Sequence, residues 1–401
     1  MKKSIFMAAI AAAMVSFGFI ACSQDEDINP NVNYNPVNSE VKNAAPGQIA
    51  FTAITNQGPA TRGIEVAGAN QVENFQVFGF LTDGTQYVGA ALDEGIMIDG
   101  ALGTGEHAAD YVSWDYRTAS DVAYWPQATV KFQAIYPAED DCFEIEETAL
   151  SSNNQQLTAV VTVPTTVADQ KDIMFAKTSA DGTTHTSESN PAVGLTFDHA
   201  MSQIVFKGKV ASDKISVTVS DIAIKNVIAE GKVGYFGASQ ALSSDVTGKY
   251  KNTDYSIGLV ETPTLGASDV STAKNLTATN GALFMLPQAN TAWTTTAAEP
   301  VTVAAAAGSV SSNGQGILAI TCHIASAGQD LVGTSSEHET VYIPFAYTWQ
   351  QGYKYIYTLV FGKGSGAFDE DGNPLDTMLP ISYTVSSING WTAGATEPIE
   401  F

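Results

Sequence analysis

The chain has 401 residues, 44% of them hydrophobic, and carries a formal net charge of −24 from 18 lysines and arginines against 42 acidic residues. Such an imbalance repels a phosphate backbone, which excludes nucleic acid as a partner, and it suits a protein kept in solution outside a cell. The 3 cysteines are too few and too scattered for a disulfide framework.

Residues 1–21 read as an export signal. Lys2 and Lys3 supply the positive start, and Ile5 to Ile20 supply an apolar core too short for a stable membrane span. The core ends at Ala21-Cys22. A cysteine directly after a small residue at this point matches the site of bacterial signal peptidase II, which cuts after the thiol is diacylated. Cys22 is therefore the predicted lipidated N-terminus, with ordinary cleavage and a free cysteine as the alternative. Asp25, Glu26 and Asp27 follow at once; such a run either begins a solvated linker or resembles a tag that sends a lipoprotein to the cell surface. Residues 22–47, with "INPNVNYNPVNSE", are polar, rich in Asn and Pro, and lack an apolar period. They predict a tether from the membrane.

"QIAFTAI" (48–54) is the first predicted strand, with Ile49, Phe51 and Ala53 alternating against Ala50 and Thr52. The loop "TNQGPATRG" follows and contains Arg62, which shares the chain with only one other arginine, Arg117. Removing residues 1–62 takes away equal numbers of acids and bases and leaves the net charge unchanged.

Beyond the loop, strand-length runs recur with Gly, Asn, Asp and Ser between them: "QVFGFL", "TVKFQAIYP", "LTAVVTVP", "SQIVFKGKV", "KISVTVSDIAI", "GILAITCHI", "TVYIPFAYTW" and "YKYIYTLVFG". Tyr353, Tyr355 and Tyr357 alternate with Lys354, Ile356 and Thr358, which puts the tyrosines on one sheet face. No long amphipathic helix is apparent, and the pattern predicts antiparallel β-sandwiches. The stretch "DGTTHTSESNPAVG" is polar and turn-rich, so a domain boundary is expected near 192/193. The expected domains are an N-terminal sandwich at 63–192 and a C-terminal one at 193–401.

Recognisable chemistry is sparse. The five histidines, His107, His185, His199, His323 and His338, have no metal-ligand spacing, and no two cysteines are close. No nucleophile elbow, P-loop or dinucleotide fingerprint is present, so no cofactor is expected. "DEDGNP" from Asp369 reads as an acidic turn, because an EF-hand loop would need Gly and Glu where Pro374 and Pro380 stand. Cys142 and Cys322 read as buried inert thiols, His199 as a structural hydrogen-bonding group at a strand start, and Trp114, Trp125 and Trp349 as core fillers. The carboxylates offer no argument for a glycosidase pair, and the chain is read as a non-enzyme.

Several motifs in fixed order then point in one direction. They are the cysteine at 22, a first strand followed by a Thr-Arg loop, "FQVFGFL" (75–81), "YWPQATVKFQAIYP" (124–137) and "DQKDIMFAK" (169–177). "FDHAMSQIVFK" (197–207), "LFMLPQ" (283–288), "YTWQQGYKYIYTLVF" (347–361) and the closing "SSINGWTAGATEP" complete the set. The order resembles the fimbrillin family (Mfa-like, type V pilins), lipoprotein pilins of Gram-negative anaerobes, over nearly the whole chain.

The resemblance implies two tandem transthyretin-like Greek-key sandwiches and a pilus subunit supporting adhesion. It implies that an arginine-specific protease cuts between Arg62 and Gly63 at the outer membrane and frees the 48–62 segment with Ile49, Phe51 and Ala53. The vacated groove then takes a strand from another copy or a related pilin. The candidate donor is 381–401, with Val385, Ile388, Trp391 and Ile399; the alternative is that "ISYTVSSINGW" is simply the last strand of its own sandwich. Whether the subunit is stalk, anchor or tip stays open. Other readings are a tip adhesin, or a monomeric surface lipoprotein that binds host or bacterial glycans through exposed aromatics.

Overall fold

Runs in which apolar residues alternate or continue become strands, and the chain is all-β: the longest helix among the described residues, Val303–Ala306, has 4 residues. This computed structural model describes residues 47–55, 72–89, 91, 94–104, 108, 110–146, 156–185, 189–236, 241–248, 252–309, 314–363, 367–375 and 381–389. All of these belong to one compact unit, Glu40–Phe401.

The strands up to the expected boundary are β1 (Phe51–Thr55), β2 (Asn74–Leu81), β3 (Gln86–Val88), β4 (Ile96–Leu102), β5 (Tyr111–Tyr116), β6 (Thr129–Tyr136), β7 (Phe143–Ile145), β8 (Thr158–Thr162) and β9 (Met174–Asp181). Then come β10 (Val193–His199), β11 (Ser202–Val210), β12 (Ile215–Ile228), β13 (Glu230–Phe236), β14 (Ala241–Asp245), β15 (Asn252–Ser256), β16 (Thr264–Leu265) and β17 (Lys274–Asn275). The last are β18 (Leu283–Met285), β19 (Ala289–Asn290), β20 (Ile317–Ser326), β21 (Gln329–Val332), β22 (Glu339–Pro344), β23 (Tyr347–Thr348), β24 (Tyr353–Phe361) and β25 (Ile381–Asn389). Pro344 ends β22, so the run "TVYIPFAYTW" divides into β22 and β23.

The first sheet has the order β1-β10-β9-β6-β2-β4-β5, with β3 beside β2. It is buried on both faces. Phe75 and Val77 of β2 and Phe132 and Ala134 of β6 share one cluster with β1, while Phe78, Phe80 and Ile135 point into the other. That second face meets the sheet β14-β13-β8-β7, as the Phe175–Tyr235 ring contact at 6.2 Å and the bond from Leu157 N to Gln133 Oε1 at 2.8 Å record. β13 and β14 follow β12 in the chain, yet β13 pairs with β8 and β14 with β13, so residues 230–245 return to complete this layer. Gly234 permits the close approach: its φ is 138°, and a Cβ there would lie 2.4 Å from Leu157 O.

Two further sheets, β17-β11-β24-β25 (with β18) and β15-β12-β20-β21 (with β16 and β22), face each other. Their inward residues extend the larger cluster through Phe206, Phe345, Tyr357 and Trp349. Tyr355 and Tyr357 are buried, and Tyr353 packs partly against the same cluster, as alternation requires. His199 closes β10 rather than starting a strand; its Nδ1 lies 3.0 Å from Asp172 Oδ1, both residues being buried.

Candidate functional site

The segment Gly47–Thr55 is the element whose placement bears on function. Alternation sends Ile49, Phe51, Ala53 and Thr55 inward, with exposures of 0%, 3%, 0% and 4%. Phe51 sits in an aromatic box: its ring meets Phe132 at 5.5 Å, Phe75 at 6.2 Å and Tyr116 at 6.3 Å, all edge-on or nearly so. Edge-to-face contacts of this kind add to the burial of the ring.

Backbone contacts hold the strand on two sides. β1 runs parallel to β10, with Phe51 opposite Val193 and Thr55 opposite Phe197, and Val193 N donates to Ala50 O at 2.7 Å. At its start, Ile49 N donates to Ala123 O at 2.9 Å and Trp125 N to Gly47 O at 2.7 Å. Two side chains complete the clamp: Tyr116 Oη donates to Ile49 O at 2.8 Å, and Asn190 Nδ2 to Gln48 O at 2.7 Å. β1 and β5 stand at opposite ends of the sheet order, so the Tyr116 contact means that the sheet rolls round and closes over the Phe51 cluster. Burial pushes the Tyr116 phenol above its usual range, and the hydroxyl remains a donor at neutral pH. Asn190 Oδ1 in turn accepts from Trp125 Nε1 at 3.0 Å, and Trp125 stacks on His185 at 3.8 Å.

All these contacts join β1 to residues far along the chain. Its link to β2 runs through 56–71, which holds Arg62 and Gly63 and lies outside the described residues, as do Ala21 and Cys22. The other arginine is engaged. Arg117 Nε lies 3.0 Å from Asp99 Oδ2, Nη2 2.9 Å from Asp99 Oδ1, and Nη1 2.6 Å from Glu139 Oε1, and hydrogen bonding to Asp99 raises its already high pKa.

With this geometry in place, a family profile described as "Fimbrillin-like" matches residues 61–391. The chain belongs to the fimbrillin-like family. The match begins beyond β1 and takes in Tyr116, Asn190 and β10, the groups that hold that strand. No curated protein matches the sequence. Among solved structures, a candidate cell adhesion protein from Bacteroides uniformis aligns with TM-score 0.41 and 14% identity, covering 86% of this chain and 98% of that one. One from Parabacteroides distasonis aligns at 0.42 and 13%, covering 86% and 97%. The fimbrial anchor protein Mfa2 from Porphyromonas gingivalis aligns at 0.37 and 9%, covering 86% and 98%. These scores transfer no residue roles to the present fimbrillin-like protein.

The candidate donor segment divides. β25 pairs antiparallel with β24 as an edge strand, with Ile381 and Val385 buried and Tyr383 Oη 3.2 Å from Ala346 N. Ile388 stands opposite Lys354 in that ladder, whereas Trp391 and Ile399 lie outside the described residues. Cys142 and Cys322 are free and buried, and burial pushes each thiol up to about 12. Among the described residues no group of three or more acidic, His or Cys side chains is placed to hold a metal ion, and no helix is long and apolar enough to cross a membrane.

Sequence reasoning found β1 and its inward face but missed its neighbours. Tyr116 and Asn190 carry no motif signal, and Asn190 lies in the turn-rich stretch that reads as a linker.

Proposed function

We propose that this fimbrillin-like protein is a structural pilus subunit, exported as a lipoprotein through Cys22, matured by cleavage between Arg62 and Gly63, and polymerised by strand exchange. The observation that carries the reading is β1: a strand with its inward side chains buried, attached covalently to the sheet it completes only through the loop containing Arg62. Burying Ile49 and Phe51 is worth roughly 1.5–3 kcal/mol each, so an uncut precursor keeps its groove closed. Cutting the loop does not expel the strand. It removes the tether's effective concentration, in the millimolar range for a short flexible link, and makes β1 a dissociable ligand that another strand can replace. The open groove then presents the β10 edge and the aromatic box, which an incoming strand satisfies.

The donor we assign is the 381–401 segment of another copy, including Val385, Ile388, Trp391 and Ile399. In support, β25 lies at the edge of its sheet among the described residues, beside β24, and its Ile381, Tyr383 and Val385 repeat the aliphatic–aromatic–aliphatic alternation of Ile49, Phe51 and Ala53. The proposed rigid bodies of the subunit are two sandwiches, with β10 and residues 230–245 belonging to the N-terminal one. The finished fimbria stands on the outer surface of the cell, where it meets host or bacterial partners.

Treatment with an arginine-specific protease, followed by intact-mass and size-exclusion analysis, tests this. The expected result is a new N-terminus at Gly63 and growth of oligomers, with Arg62→Ala resisting both. A chain cut at 62 that stays monomeric with the fragment ending at Arg62 still bound would refute the exchange, and continued acylation of Cys22→Ala would refute the anchor.

A further inference from the structure

On the far face of the β12–β20–β22 sheet, away from the main core, residues 291–308 and 367–375 lay down a second small layer. Trp293, Ala306 and Ile317 form its centre, with Val303, Tyr342 and Phe368 packed against them. Beside this layer lies an open cleft of about 700 Å³. Its size falls within the roughly 300–1,000 Å³ of small-molecule sites. Its walls mix charged and polar side chains with Val303, Ala304 and Ala307, which sets it apart from the mainly apolar pockets that hold drug-like ligands.

The walls are built rather than incidental. The ladder between β12 and β15 slips between Ile224 and Val227, and Asn226 takes a left-handed φ of 63°. A non-glycine residue held there is uncommon, and bulges of this kind re-aim side chains beside sites. The conformation is secured from both sides. Asn226 Nδ2 donates to Gln315 O at 2.7 Å, and Asn226 N donates to Asp254 Oδ1 at 3.3 Å. The bulge places Lys225 Nζ 2.5 Å from Asp254 Oδ2, so this carboxylate is fixed through both oxygens.

Opposite stand Tyr342, Glu370 and Asp371. The tyrosine main chain is locked by reciprocal bonds with Phe368 at 3.0 and 2.9 Å. Burial raises its phenol pKa, Lys225 opposes the shift and Glu370 and Asp254 add to it, which sets the hydroxyl among these charges.

An aromatic ring, hydroxyl and ammonium donors and fixed carboxylate acceptors around one open cleft suit a ligand with many hydroxyls and a flat C–H face. We propose that this cleft binds a saccharide of one or two rings, by direct contact with these side chains. One ammonium faces three carboxylates, so the site selects neutral or amine-bearing sugars and rejects sialylated, sulfated or uronic ones. The site stands independently of strand exchange and gives the subunit an adhesive surface of its own.

The test is a glycan array probed with the whole folded chain at physiological salt, spanning neutral, N-acetylated, amino, sialylated, sulfated and uronic glycans, with calorimetry on any hit. Binding within the neutral or amine-bearing classes is expected. Asp254→Asn, Glu370→Gln and Tyr342→Phe each weaken it tenfold or more, and Asp330→Asn, on the exposed β21 strand, leaves it unchanged. Absence of any neutral or amine-bearing ligand, or preference for anionic glycans, overturns the proposal. So does binding indifferent to all three substitutions in chains of native circular dichroism. Should a variant fail to fold, hydrogen exchange on the wild type decides: the bound glycan must protect amides within 302–308 and 367–375, and protection elsewhere alone refutes the site.

Discussion

Phe51→Ala perturbs the strand that closes the groove. The ring is 3% exposed and touches Phe75, Tyr116 and Phe132, three rings on three different strands of the same sheet. Truncating a buried phenylalanine costs about 3–5 kcal/mol, the lost transfer energy plus the cavity left behind. The box has little freedom to collapse, because Phe132 and Phe75 are fully buried and Phe75 also packs on Phe197 at 5.5 Å. The upper half of the range is therefore expected. Thr52→Ala, on the opposite side of the same strand, serves as control, with an expected change within about 0.5 kcal/mol. Urea denaturation of the uncut chain, followed by tryptophan fluorescence, reads the difference; Trp125 contacts Phe132 at 5.9 Å and reports on this core. A loss below about 1 kcal/mol for Phe51→Ala would refute the reasoning, since surface substitutions already span that much.

The other predictions concern groups that hold the subunit together. Arg117 should survive arginine-specific protease in the wild type, and the Asp99→Asn, Glu139→Gln double variant should gain a slow second cut in peptide mapping, since both its guanidinium partners are then uncharged. Asp172→Asn removes the carboxylate beside buried His199 and should cost about 3–5 kcal/mol in thermal or urea unfolding, as expected when one member of a buried pair is lost. Cys142 and Cys322 should resist alkylation at pH 8 until the chain unfolds, because burial holds both thiols protonated up to about 12. The native state keeps protons that an unfolded thiol releases near its ordinary pKa of about 8.5. The stability these thiols contribute is thus complete below that pH and is lost as pH rises toward about 12.

Inward faces were legible in the sequence wherever a strand alternates, as at Ile49-Phe51-Ala53 and Tyr353-Tyr355-Tyr357, because a period of two declares which side chains share a face. Neighbours were not, because periodicity carries no information about the opposite strand. The parallel pairing of β1 with β10 joins residues more than a hundred positions apart, and the return of 230–245 to β8 crosses the expected boundary at 192/193. Tyr116 and Asn190 act through single hydrogen bonds to main-chain carbonyls, a role that any tyrosine or asparagine in reach fills without a motif. The saccharide cleft was equally silent, since its parts lie on five segments brought together by the β12 bulge and the small outer layer.

The most direct test of strand exchange is hydrogen exchange at the β10 amides, 193–199, in three states: uncut chain, freshly cut subunit, and assembled polymer. Replacement of β1 by a donor strand predicts protection, then loss of protection as the fragment ending at Arg62 leaves, then recovery on assembly. Protection that persists through cutting and assembly, with the fragment ending at Arg62 still bound, would contradict it.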